Sequence, residues 1–472
     1  MRKFPFFLIG IVVLFACAGV AAAGTQSFTD PDKLIYPPLR FQPPQAKRLT
    51  LSNGMILYVL EDHELPLVDI HIVIKTGSYF DPEGKEGLAE LTGAVLRAGG
   101  TETMAGSAVD EELESLAVDI DIATHTEYST IAFSSLKNNL ERGMEVLSGI
   151  MKQPVFAEDK LRLKKNLKTE ELRRIADDPV EFAFREFNRL LYRGNPMGRL
   201  PSLGSVERVS REDIFQFYKT FYVPANMMIA ATGDITEKEA AVLMEKYFGS
   251  WPSRGKRVEA LPPAPPKGGI YYLAKGAPQS VIIRGHIAPA KKSSDLYAFT
   301  VLDFILGSGG FRSHIFQEIR TNRGLAYSAG SLYRPRSDYG VFVAYAVTKA
   351  SSTGEVVSLL NAVLGKAINR PADLEELKWA KKSIDNSFIF SFSSAERIAL
   401  LQMMLEFDKL PSDHILAYRN RVEKVSVEDL KRAAYKYLSP EEAVILIAGN
   451  ESDFDQPLSA FGKVERIKLS NE

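Results

Sequence analysis

Val206-Glu207-Arg208-Val209-Ser210-Arg211-Glu212-Asp213-Ile214 returns later in the chain as Val422-Glu423-Lys424-Val425-Ser426-Val427-Glu428-Asp429-Leu430. Carried forward without a gap, the same offset pairs Pro224 with Pro440, Ile229 with Ile445 and Gly233 with Gly449. In both copies a Ser is followed by Glu-Asp, which reads as a helix start with an N-cap and an acidic first turn. Each copy then passes through Tyr and Pro into an apolar strand ended by Gly. An accidental match of this length is improbable, so the chain reads as a duplicated domain.

Leu261-Pro262-Pro263-Ala264-Pro265-Pro266-Lys267-Gly268-Gly269 lies between the copies and favours extended backbone. It marks a linker over 256–269, with one domain at 47–255 and a second at 270–472. Each half mixes periodicities. In the first, Leu51 to Leu60 holds an Asn53-Gly54 hairpin signal and Val68 to Lys75 alternates as a strand. Glu86 to Leu96, Leu136 to Met151, Asp159 to Ile175 and Val180 to Leu191 read as amphipathic helices. In the second, strand Ser280 to His286 precedes helices Ser294 to Leu306 and Ser313 to Asn322, with Gly324 as a helix-ending residue and a strand from Leu325. The expected fold class is α+β: two tandem homologous domains, each a mostly antiparallel sheet covered by helices on one face.

The 58 Lys+Arg balance 59 Asp+Glu. With no basic stripe, this excludes an ordinary nucleic-acid binder. At the N-terminus Arg2 and Lys3 precede an apolar run from Phe4 to Phe15 that leads into Ala21-Ala22-Ala23. That is the order of a secretory signal over 1–23, followed by an N-terminal extension over 24–46. The expected location is periplasmic, with no membrane span. Cys17 is the only cysteine, and Leu14-Phe15-Ala16-Cys17 offers the alternative of a lipoprotein anchored through it.

There is no G-x-S-x-G elbow and no P-loop, and Gly307-Ser308-Gly309-Gly310-Phe311-Arg312 fails the dinucleotide fingerprint at Arg312. None of the six histidines pairs with another at the i, i+4 spacing that puts two imidazoles on one helix face. Each reads as an ordinary surface or core histidine.

The order of hairpin, strand, Gly87-Leu88-Ala89 helix, Gly100-Thr101, paired domains and Pro-rich link resembles the pitrilysin/insulinase-type zinc peptidases, in their bacterial and mitochondrial-processing-peptidase branch. The resemblance runs from about Lys47 to Glu451. In active members the helix after Gly-Leu-Ala carries H-x-x-E-H, with a third ligand Glu about 76 residues further on. The two His and the distal Glu bind zinc, and the middle Glu activates water. Here the segment reads Glu90-Leu91-Thr92-Gly93-Ala94, and 76 residues separate Ala94 from Glu171. The register is kept while both imidazoles and the general base are gone. The resemblance therefore implies a degenerate zinc site at Glu90, Gly93, Ala94 and Glu171, no metal on this chain, and no peptide hydrolysis by the chain alone. The plainer reading of Glu90 and Glu171 is a solvated or salt-bridged helix face.

Arg320-Thr321-Asn322-Arg323-Gly324-Leu325-Ala326-Tyr327-Ser328 matches the family's R-x₆-Y segment, whose Arg and Tyr hold substrate carbonyls and stabilise an oxyanion. Without the resemblance, Arg320 would pair with a carboxylate such as Glu318 and Tyr327 would be core. With it, the chain is expected to be a zinc-less subunit of a heterodimeric metallopeptidase. Its partner would be a homologous subunit bearing H-x-x-E-H and the zinc, and its substrates peptides. The alternative is a non-enzymatic scaffold or peptide-binding protein, possibly homodimeric. A solitary enzyme with relocated ligands finds no supporting cluster.

Overall fold

The computed structural model describes residues 42–253, 259–438 and 441–467. The segment 1–23 read as a signal, Cys17, most of the N-terminal extension, the first residues of the linker and Pro440 lie outside the described residues.

The first half runs β1 (Lys47–Thr50), β2 (Ile56–Glu61), β3 (Leu67–Ile74), α1 (Leu88–Ala98), α2 (Gly106–Ser115), β4 (Asp119–Thr124) and β5 (Ser129–Leu136). Helices α3 (Leu140–Lys152), α4 (Glu158–Arg174), α5 (Pro179–Leu191), α6 (Leu203–Arg208) and α7 (Arg211–Phe221) lead to β6 (Met227–Gly233) and α8 (Glu237–Met244). The second half runs β7 (Gly269–Ala274), β8 (Gln279–Ala288), α9 (Leu296–Asp303), β9 (Ala326–Pro335) and β10 (Gly340–Lys349). It ends with α10 (Thr353–Asn369), α11 (Leu374–Phe388), α12 (Ala395–Phe407), α13 (His414–Glu423), α14 (Val427–Tyr437), β11 (Val444–Gly449) and β12 (Val464–Arg466).

The strand orders are β1-β2-β6-β3-β5-β4 and β12-β7-β11-β8-β10-β9. From the second position onward they are the same order twice, which is the duplication read from the sequence, now expressed as topology. Pairing is mostly antiparallel. The parallel exceptions are β2–β6 in the first sheet and β7–β11 and β7–β12 in the second. The repeated segment sits at the same place in each half. The Ser210 hydroxyl accepts from the Asp213 amide and the Asp213 carboxylate accepts from the Ser210 amide at 2.9 Å, which starts α7. Ser426 and Asp429 do the same at 2.9 Å to start α14. Each reciprocal pair satisfies two backbone donors that the first helical turn leaves open.

The sequence implied helices on one face of each sheet, and the structure covers the other face as well. Strand β6 is buried at every residue but its last, so both its faces need cover. On one face β1 to β6 pack under the helices of their own half. On the other, Tyr58, Val73, Met228 and Ala230 pack against Ala399 and Met403 of α12, a helix of the second half. The exchange is reciprocal. Phe182, Phe187 and Leu191 of α5 pack against Leu273, Val281, Ile283, Val444 and Leu446 of the second sheet. A Cβ on Gly285 would lie 2.7 Å from the Phe187 ring, so this glycine of β8 makes room for the other half's side chain. Among the described residues no single helix is long and apolar enough to cross a membrane.

Candidate functional site: a closed carboxylate pair and an exposed Arg–Tyr pair

Helix α1 carries the first candidate group, and a distant carboxylate holds its start. Gly87 caps the helix with φ +101, a left-handed conformation that leaves no side chain to cap with. The Asp81 carboxylate takes over, accepting from the Gly87 amide at 2.7 Å and the Ala89 amide at 2.8 Å. Burial pushes Asp81 up to about 7 against the pull of those two donors, with Glu86 and Glu90 adding to the rise.

Three positions further along α1, Glu90 meets α4. Lys168 Nζ lies 2.8 Å from Glu90 and 2.8 Å from Glu171, so one ammonium bridges both carboxylates. The lysine side chain is 11% exposed, while the two carboxylates are 44% and 58% exposed. The salt-bridged reading of Glu90 and Glu171 therefore describes their geometry, and the two residues do converge. Lys168 was missed by sequence reasoning, although its i, i+3 spacing from Glu171 on an acidic and basic helix is the signal that could have found it. Gly93 faces β4: a Cβ there would sit 3.1 Å from Ile122 Cγ2 and 3.1 Å from Thr124 Oγ1. A side chain at 93 would press on the Ile122 and Thr124 side chains, which would have to give way. Ala94 is half-buried.

The second group lies in the other half. A wide π turn over Phe316–Thr321 ends at Gly324, whose φ of +65 lets the chain reverse into β9. The Gly324 amide donates to the Arg320 carbonyl at 2.9 Å, fixing the reversal. Along β9, Ser328 pairs with Val347 and Ala326 with Thr348, which leaves Tyr327 as the extra residue of a β-bulge. Such a bulge re-aims a side chain. Tyr327 is 80% exposed, so the core reading of this residue is overturned. Arg320 does not pair with Glu318, which is held by Arg323. Its guanidinium lies 4.8 Å from the Phe316 ring and 5.2 Å from the Tyr327 ring. Among the described residues neither the Arg320 guanidinium nor the Tyr327 phenol makes a hydrogen bond, so their donors are available.

Residues 58–201 match the family model described as Insulinase (Peptidase family M16), and residues 208–384 match the Peptidase M16 inactive domain. The chain belongs to the M16 peptidase family. An uncharacterized zinc protease of Rickettsia bellii is 27% identical over 341 residues, covering 71% of this chain and 81% of the relative. A probable mitochondrial-processing peptidase subunit beta of Arabidopsis thaliana is 22% identical, covering 87% of this chain and 79% of the relative. The crystal structure of a peptidase M16 inactive domain from Pseudomonas fluorescens superposes with a TM-score of 0.81 at 23% identity, covering 88% of this chain and 100% of that one. A Helicobacter pylori protease does so at 0.78 and 20% identity, covering 86% and 100%.

The family implies zinc, and the residues of this M16 chain do not fit it. A catalytic zinc takes three protein ligands and an open position. Here two carboxylates share an ammonium, with Gly93 and Ala94 offering no side-chain donor. Among the described residues no three His, Cys, Asp or Glu are grouped to hold a metal.

Proposed function

We propose that this chain is the zinc-less member of a two-chain M16 peptidase and lends Arg320 and Tyr327 to the active chamber of a homologous, H-x-x-E-H-bearing partner. The observation that carries the reading is the pairing of opposites. The carboxylates at the zinc-site positions are bridged from within by Lys168, whereas the Arg320 donors on the π turn and the Tyr327 phenol on the bulge stand unspent. A guanidinium on the turn and a phenol on the strand that follows it, held side by side, suit carbonyl oxygens of a peptide and the oxyanion that forms from one. The zinc and the water-activating carboxylate belong, on this reading, to the partner; the substrates are peptides, and the pair works in the periplasm.

A native pull-down of the tagged, exported protein tests the assembly. The expected result is a similar-sized chain with H-x-x-E-H at one-to-one stoichiometry. Recovery of the protein with only further copies of itself would contradict the proposal and favour a scaffold or peptide-binding homodimer.

A further inference from the structure

Arg284 lies in the middle of β8, facing α10, and is 6% exposed. Its Nη1 donates to Asn361 Oδ1 on α10, while its Nε has no partner among the described residues. Among the described residues no carboxylate accompanies it there, and burial draws its pKa down to about 10. His286, two residues on and on the same strand face, supplies no counter-charge. Its ring is fully buried, and desolvation draws its pKa down to about 3, so it stays neutral. A guanidinium taken out of water without an anion is an unfavourable arrangement that an anion would relieve.

The same residue lines a cavity. Arg284 and Asn361 face a space of about 390 Å³ whose other walls include Ile270, Ile368, Ile445 and Phe461. That volume falls within the about 300–1,000 Å³ range of small-molecule sites, which pair apolar walls with a few placed polar groups. Asn361 Oδ1 already accepts from Arg284, and the donors left at the site are the Asn361 amide hydrogens and the unspent guanidinium N–H. Gly365, inside the 17-residue α10, also lines the cavity, and a Cβ there would meet nothing within 4 Å. A glycine at a helix interior weakens the helix, and this one leaves the cavity open.

We propose that this cavity binds an apolar monocarboxylate, whose carboxylate pairs with Arg284 and Asn361 while its hydrocarbon body lies against Ile270, Ile368, Ile445 and Phe461. A single guanidinium matches a single negative charge, and the planar fork suits a carboxylate bidentately. Apolar walls disfavour a multiply charged, strongly hydrated anion such as phosphate. The site lies apart from Arg320 and Tyr327, and the inference does not rest on the two-chain reading.

The test is titration calorimetry and thermal shift on the full chain with octanoate, using octanol as the neutral control. A peptide ending in free leucine and its C-terminal amide form a second arm. Saturable octanoate binding with no response to octanol is expected, weakened at least tenfold by Arg284→Met and by Gly365→Leu, which fills the opening and leaves the charge in place. Binding of the free-ended peptide but not of its amide, with octanoate silent, would also support the site and identify a chain end as the carboxylate. Silence in both arms, equal responses to octanol or to the amide, or octanoate binding that survives both substitutions would overturn it. Should Arg284→Met fail to fold, Gly365→Leu carries the test, since it adds a side chain into open space.

Discussion

An ammonium 2.8 Å from each of two carboxylates does locally what a divalent ion would do, with less charge and no open coordination position. Because Glu90 and Glu171 are largely solvated, Lys168→Ala is expected to lower stability by only about 0.2–1 kcal/mol in urea unfolding. The variant should also retain no stoichiometric zinc by elemental analysis after dialysis against the metal. Tight one-to-one retention would mean that the two carboxylates had recruited a further ligand. Asp81, at the head of the same helix, sets a pH dependence. Burial raises its pKa in the folded state to about 7, above the ordinary 3.8, so the folded protein binds this proton more tightly than the unfolded chain does. The stabilisation from that proton is complete below about pH 4 and is lost as pH rises through about 7, with a slope of at most about 1.4 kcal/mol per pH unit. Asp81→Asn should remove this component from urea midpoints measured across the same range. An unchanged slope in the variant would assign the dependence to other groups. The Lys168–Glu171 spacing was legible on one helix, but the reach of Lys168 to Glu90 was not, because it depends on α4 packing against α1. Asp81 was missed because its burial and its hold on the Gly87 and Ala89 amides depend on the fold around it.

Helix starts were the most legible elements, since a cap depends only on residues within one turn. Ser210 and Ser426 were read as N-caps, and both close the same reciprocal bond pattern. Ser210→Ala and Ser426→Ala should each cost about 1 kcal/mol in chemical unfolding. Sitting in different halves, they should add in the double variant to within about 0.5 kcal/mol. A large cost at one site with none at the other would mean that the repeat does not distribute stability as its geometry implies. Elements that depend on a neighbour were less legible. Leu136 to Met151 reads as one helix by periodicity, yet β5 runs through Leu136 because it pairs with Leu67, and the helix begins at Leu140. The Tyr327 bulge could not be read at all, since it exists only in the register of β9 against β10. The Arg–Tyr segment was visible as a motif, but the exposure that makes its donors available was not.

At the scale of the molecule, the duplication was legible and the exchange of helices between the halves was not. An apolar stripe on α5 says that the helix is buried without saying under which sheet. Phe187 is fully buried against strands of the second half of the chain. Phe187→Ala is therefore expected to cost about 3–5 kcal/mol and to speed hydrogen exchange in β8 and β11 of the second half. Faster exchange confined to α5 would contradict the reciprocal packing. Because each half completes the other's core, the Arg320–Tyr327 pair and the closed carboxylate pair are carried on one interlocked body. The most direct test of the proposed division of labour is the peptide-cleavage rate of the assembled two-chain complex with Tyr327→Phe in this chain. Removing one donor of this kind should lower kcat by roughly 10²–10³ with one-to-one assembly unchanged. Wild-type turnover by the intact complex would contradict the account.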